Sequence, residues 1–371
     1  MTNTRRGMMG AAGAESVEGG ALFSWGDAGN GELGRGDVVD TSSPVQVGSL
    51  EDWNDVAGGL DHTVAVKGDG TLWGWGKNGN GNYGDGTVVS KSSPVQIGSL
   101  TNWASCSASN AWSAFIKTDG TMWSTGWGAR TGHGDASVGR SSPTQIGSLT
   151  TWASVACGNS SGFAIKTDGT LWAWGRNTDG NLGDGTVINK SSPIQIGSLT
   201  TWSKIAAANK SCLAVKTDGT LWAWGDGGYG QLGRGSVADI SSPIQIGSLT
   251  TWASVGITNT SAQAIKTDGT LWTWGDRGEG RLGLSDFISR SSPVQVGSLT
   301  TWSAITHMSN SNHVLAVKTD GTLWAWGAAE HGALGNQLAG DTPVSSPIQI
   351  GSLTTWSKVA AGPDFSFGVT T

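Results

Sequence analysis

The chain reads as short apolar runs separated by turn-forming residues, with no stretch that sustains a helical apolar period. Positions 202–247 show the unit. Residues 203–207 form a short apolar run. In 211–216, Leu213 and Val215 fall on one side of a period-two alternation, as in a strand. Thr217-Asp218-Gly219 interrupts the pattern, and Asp-Gly favours the positive φ angles of a tight hairpin. Residues 220–224 then alternate Leu221 and Ala223 against Trp222 and Trp224. A Gly-rich excursion (GDGGYGQLGRG) leads to 241–247, where Pro243 lacks the N–H that a central strand needs and so predicts an edge strand. The unit therefore predicts four antiparallel strands.

This unit recurs. Trp-Gly pairs begin at Trp25, Trp75, Trp127, Trp174, Trp224, Trp274 and Trp326, and Ser-Pro prolines stand at Pro44, Pro94, Pro143, Pro193, Pro243, Pro293 and Pro347. A further Trp follows Gly-Ser-Leu at Trp53, Trp103, Trp152, Trp202, Trp252, Trp302 and Trp356. Four-stranded units with a period near fifty predict an all-β, seven-bladed β-propeller of antiparallel blades. The last unit stops after two strands, at 358–361 and 365–370, and the chain supplies the missing two at 21–25 and 43–47. One blade is thus predicted to be shared by both termini, which removes the exposed sheet edges. Residues 21–371 form the propeller in this reading. Residues 1–20 lie outside the repeat and read as an arm, with Arg5, Arg6, Met8 and Met9 as candidate attachment residues.

Composition fits a repeat scaffold. There are 60 Gly among 371 residues, about twice the usual share. The net charge of −6, with no Lys/Arg run, argues against nucleic-acid binding, which depends on phosphate contacts. No apolar run resembles a signal or a membrane span, so membrane insertion is not expected. Cys106, Cys157 and Cys212 have apolar or small neighbours and no metal-like spacing, and read as buried thiols.

Several motifs suggest chemistry and yield to their context. Residues 29–34, 79–84, 228–233 and 278–283 fit GxGxxG, but a dinucleotide site needs a helix after the glycines and none is predicted. Residues 158–162 fit the GxSxG elbow, again between strands. His62, His133, His307, His313 and His331 have no ligand spacing beyond the pair His307 and His313. The recurrent Asp119, Asp168, Asp218, Asp268 and Asp320 serve turns. No catalytic residue, metal or cofactor is expected. The repeated Trp residues read as packing between blades.

The pattern of LWAWG, GxLG, SPxxI and xVAAG resembles the regulator of chromosome condensation repeat family across residues 21–371. The resemblance implies a seven-bladed propeller with a shared closing blade. It also implies functions that range from nucleotide exchange on a small GTPase with chromatin binding to enzyme inhibition by secreted bacterial members. Family histidines match here only at His62 and His313, the other positions being Trp112, Ser161, Ser211, Ser261 and Phe365. The near-identical repeats resemble bacterial and phage members. The expected role is a non-enzymatic structural or interaction protein: a bacteriophage virion component made in the host cytoplasm, displaying the propeller to other subunits, a host surface protein or a glycan. The alternative is a cytoplasmic protein-binding propeller such as an inhibitor, and less so an exchange factor. Specificity is expected in the loops after each Trp-Gly and before each Ser-Pro. The candidate contact surface is Trp112, Trp127, His133, Tyr229 and Phe287. Around Trp123-Ser-Thr-Gly-Trp127 the second unit reads as two residues longer, with His133 in place of the Leu of GxLG.

Overall fold

A computed structural model describes residues 19–135, 137–306, 311–337 and 342–371. They form seven four-stranded antiparallel sheets. Blades 1 to 6 each run in chain order, at residues 53–96, 103–145, 152–195, 202–245, 252–295 and 302–349. The closing blade has the strand order Thr41–Gln46, Leu22–Gly26, Phe365–Thr370, Trp356–Ala361. The chain's start thus provides the two outer strands and its end the two inner ones. Leu22 pairs with Val369 and Gly26 with Phe365.

The elements follow the predicted unit with small shifts at the ends. Blade 4 consists of Trp202–Ala207, Ser211–Lys216, Leu221–Gly225 and Ile240–Gln245. Pro243 lies in the outer strand, where pairing slips between Ala223 and Gly225, so its missing N–H leaves no ladder bond unmade. In each of blades 1 to 6 the Asp of the hairpin accepts hydrogen bonds from the backbone N–H and hydroxyl of the Thr two residues on. In blade 4 these run from Thr220 to Asp218 at 3.0 and 2.7 Å. The same Thr oxygen accepts the indole N–H of Trp222 at 2.8 Å. Gly219 has φ +75, and a Cβ there would stand 2.2 Å from the Thr250 carbonyl oxygen of the link to the next blade. The turn therefore requires glycine twice, for its angle and for its space.

Alternation along the second strand does not separate a wet face from a dry one. Every residue of Ser211–Lys216 is buried because blades cover both sides. Lys216 ends that strand with its ammonium 3.5 Å from the ring centre of Trp222 and 4.9 Å from that of Trp202. Lys117, Lys166, Lys266 and Lys318 repeat the arrangement.

Two sets of hydrogen bonds tie each blade to its neighbour. The second Trp of LWAWG is fully buried and its indole N–H donates to a backbone carbonyl in the Gly-rich loop of the preceding blade. Examples are Trp75 to Glu32 at 2.7 Å, Trp224 to Asn181 at 2.8 Å and Trp25 to Ala333 at 2.8 Å. Further along, the loop donates to the outer strand of the next blade, from Gly36 to Ser92 at 2.7 Å through to Gln337 to Ser42 at 2.8 Å, which closes the ring.

Blade 2 departs from the register expected for it. Its third strand is Met122–Gly126, so Thr125 occupies the position of the repeat Trp. The Thr125 hydroxyl donates to the Asn82 carbonyl at 2.8 Å, the bond the indole makes elsewhere. Trp127 lies beyond the strand. Its blade has no insertion; the stretch from Gly126 to Thr131, which stands in the Leu place of GxLG, is two residues shorter than Gly225 to Leu232 of blade 4, and Gly132 lies against the Trp174 ring. His133 stands one step later, where blade 1's predecessor loop has Arg35.

Candidate functional site

Antiparallel order places two loop sets on one side of the ring: the links between first and second strands, and the Gly-rich loops between third and fourth. The hairpins and the Gly-Ser-Leu links occupy the opposite side. The loop side carries nearly all the blade-to-blade variation, so it is the candidate site.

The Gly-rich loops are fixed at their base by side chains. The Asp40 carboxylate accepts the Ala28 N–H at 2.9 Å, Asn189 accepts that of Asn177 at 2.7 Å, and Asp239 that of Gly227 at 2.9 Å. Asn78 and Asn177 donate across their loops to Asp85 and Asp184 at 3.0 and 2.9 Å. These anchored loops raise an apolar pair to solvent: Val38 and Val39, Val88 and Val89, Val187 and Ile188, Phe287 and Ile288 are each more than half exposed. Val138 and Val237 hold the corresponding places in two further loops. The pairs are spelled out in the sequence, yet only their common exposure on one face marks them as a surface.

The expected contact residues divide. Trp127, Tyr229 and Phe287 are exposed on this side. His133 is half-buried, with Nε2 3.0 Å from the Ser124 hydroxyl, and burial lowers its pKa to about 4. Trp112 is not a contact residue. It is fully buried between blades 2 and 3, its ring centre 6.3 Å from that of Trp174 and its indole N–H donating to the Gly158 carbonyl at 3.1 Å. Its position faces the next blade, as His62 and His313 do when they meet Ser113 and Ser366 at 2.9 and 2.7 Å. Arg5, Arg6, Met8, Met9 and His307 lie outside the described residues.

The suggestive motifs have structural duties. Gly31 and Gly34 in the first GxGxxG match have φ of +79 and +73, and a Cβ at Gly34 would stand 2.7 Å from the Trp75 indole nitrogen. The GxSxG match spans a turn between two strands of blade 3. The narrow central channel, about 220 Å³, is walled by the first strands and includes Asp55, Cys106 and Cys157. Burial raises the thiol pKa of Cys157 to about 12 and pushes those of Cys106 and Cys212 well up, which leaves them protonated and unreactive. Among the described residues, Asp27, Asp40 and His331 bring ligand atoms within 4.8 Å of one another. His331 already pairs with Asp40 at 3.0 Å and Asp27 accepts the Gly29 N–H at 2.9 Å, so hydrogen bonding accounts for the cluster.

Glu32 is the buried acid of this side. Its carboxylate accepts the Asn30 N–H at 2.7 Å, and burial, aided by Asp27 and Asp61, raises its pKa from 4.5 to about 7. A carboxyl whose folded pKa is raised destabilises the fold when ionised. The penalty is absent below the unfolded value and complete above pH 7, where it reaches about 3 kcal/mol. Gln231 fills the same place in blade 4 and its amide oxygen accepts the Tyr229 N–H at 2.9 Å, so a Gln can keep the bond that Glu32 makes. Glu32→Gln should therefore raise the unfolding free energy by about 1–3 kcal/mol at pH 8 and leave it unchanged at pH 4. Denaturant titrations at the two pH values check this; an equal gain at both would mean that ionisation is not the cause.

Family models give an external view of these repeats. A model described as "Regulator of chromosome condensation (RCC1) repeat" matches residues 19–66, 69–116, 168–215, 218–261, 268–317 and 320–369. A second model of the same description matches 53–82, 152–181 and 202–231. The stretch 117–151, which holds Thr125, Trp127 and Arg130, is covered by neither. No curated protein matches at the level of sequence. Among solved structures the chain is similar to Prp20p from Saccharomyces cerevisiae, described with its binding to Gsp1p and histones, with a TM-score of 0.84 and 20% identity over 96% of this chain and 92% of that one. Yeast RCC1 (Prp20) bound by Kap60 gives 0.85 and 19% over 100% and 96%. Human WBSCR16 gives 0.84 and 20% over 95% and 99%. At these identities the likeness is one of fold.

Proposed function

Given that the chain belongs to the Regulator of chromosome condensation (RCC1) repeat family, we propose that it is a non-enzymatic platform that binds protein partners on its loop side. The carrying observation is the set of anchored loops that hold apolar pairs in solvent above a closed, uniformly packed ring. A rigid loop loses little entropy on binding, so its contacts convert efficiently into affinity. Trp127, Tyr229 and Phe287 add blade-specific aromatic contacts to the recurring pairs. The similar Prp20p is described as binding Gsp1p and histones, which fits a protein-binding use of the fold. Those relatives are yeast and human proteins, and no feature of the loop side singles out a virus particle.

Affinity capture with three forms of the full chain tests the reading. One is unaltered, one carries Ser at Val88, Val89, Val187 and Ile188, and one carries Ser at Leu199 and Leu249, which are exposed on the opposite side. A stoichiometric protein partner should be kept by the third form and lost by the second. Loss in the third form alone would move the binding surface to the other side.

A further inference from the structure

Among the described residues, Arg130 presents a cation without a carboxylate partner on the loop side. The same structural place is held by Glu32, Gln231 and Arg281 in other loops, and each of those side chains makes a polar contact to its own loop or to the neighbouring link. Glu32 and Gln231 accept a backbone N–H, and Arg281 donates from Nε to the Gly278 carbonyl at 2.7 Å and from its guanidinium to the Thr260 hydroxyl. In blade 2 the stretch from the strand to the Leu place of GxLG is two residues shorter, and the Gly128 carbonyl is taken by the Thr131 hydroxyl at 2.9 Å. Among the described residues the Arg130 guanidinium consequently has no hydrogen-bond acceptor and no carboxylate partner. It lies 5.6 Å from the ring centre of the exposed Trp127, and burial without a compensating charge lowers its pKa.

Arg130 and Trp127 form one wall of a cleft of about 350 Å³ between blades 2 and 3, with Ser160, Arg176, Asn189 and Lys190 on the other. Lys190 is neutralised by Asp184 at 3.4 Å. Arg176 donates from Nε to the Thr178 hydroxyl at 2.8 Å and has no carboxylate partner among the described residues. Two guanidinium groups without a carboxylate partner among the described residues thus line one cleft with an exposed indole. An acidic region lies elsewhere on the loop side: Asp27, Asp40, Glu330 and Asp364 gather where blade 6 meets the closing blade, and Asp364 is pushed up by burial and by Glu330. A nucleic acid or other polyanion would be repelled there. A protein segment can match both regions, with acids at blades 2 and 3 and bases at the closing blade, and that complementarity would also fix its orientation.

We propose that the Trp127–Arg130–Arg176 cleft receives an acidic side chain beside an aromatic one from a protein partner, the carboxylate bridging the two guanidinium groups and the ring stacking on Trp127. This rests on the protein-binding reading of the loop side and specifies the chemistry of its partner.

The probe is a labelled Gly/Ser peptide carrying Glu-Phe-Glu, titrated against the full chain by fluorescence anisotropy. Binding in the range up to about 1 mM is expected, weakened about tenfold or more by Arg130→Ala and by Trp127→Ala, and by a Gln-Phe-Gln peptide. Arg277→Ala, which removes an exposed cation on blade 5, should leave it unchanged. Neither Arg130 nor Trp127 contributes a side-chain hydrogen bond to the fold, so melting curves should be unaltered. Absence of binding, indifference to Arg130→Ala, or equal binding of the Gln peptide would overturn the proposal. Displacement of the peptide by about 10 mM inorganic phosphate would also overturn it and assign the cleft to phosphate. If the peptide fails while captured partners still depend on Val88, Val89, Val187 and Ile188, this inference falls and the platform reading stands.

Discussion

A chain lacking residues 1–26 should aggregate, or unfold on the order of 10 °C below the intact protein. The deletion removes the strand Leu22–Gly26 from the interior of the closing blade, where it lies between Thr41–Gln46 and Phe365–Thr370. Leu22 and Trp25 are fully buried, and Trp25 donates its indole N–H to Ala333 of the preceding blade. Burial of each such side chain contributes roughly 1.5–3 kcal/mol, and the backbone pairs add to that. The larger effect is topological. Phe365–Thr370 would become an open edge beside an unpaired Thr41–Gln46, and the ring would lose its closure. Differential scanning fluorimetry with light scattering reads both outcomes. If the shortened chain melts with the intact one, the terminal strands do not close the ring.

Trp112→Ser should destabilise the fold by about 3–5 kcal/mol, the range for emptying a large aromatic side chain from a core. Ser is the residue the repeat itself places there at Ser161, Ser211 and Ser261, so the backbone accepts it and the loss reports the emptied volume. The vacated space lies beside Trp174, and the Gly158 carbonyl loses its donor. Trp127→Ser in the adjoining loop removes a side chain that is 51% exposed and should change stability by no more than about 0.5 kcal/mol. Guanidinium unfolding of the two variants separates them. Equal stability would return Trp112 to the surface.

The contrast between these two tryptophans shows how far the sequence reaches. Its periodic signals are local: alternation within six residues, an Asp-Gly at each hairpin, a Pro on each outer strand. Local signals repeated seven times determine the blade, the number of blades and the sharing of the closing one. What each departure from the repeat does depends on groups that meet across blades. Trp112 breaks the pattern and so reads as a surface residue, but its place in the strand points at the next blade. Trp127 sits in a Trp-Gly pair and so reads as the repeat Trp, but Thr125 makes that bond to Asn82, because a shortened loop after the strand restores the register. Lys216 flanks a polar turn in sequence and lies against two indole rings in space. The recurring valine pairs are no more apolar than the strands beside them; only the anchoring of each loop at its base leaves them in solvent. Arg130 is one charge among many in the sequence, and its lack of a partner among the described residues goes with the shortened stretch between its strand and Thr131. The sequence by itself determined the scaffold, because hydrogen bonding and side-chain alternation within a blade are short-range. Only the tertiary structure decided the site, because burial and the pairing of charges depend on residues that the ring brings together from neighbouring blades.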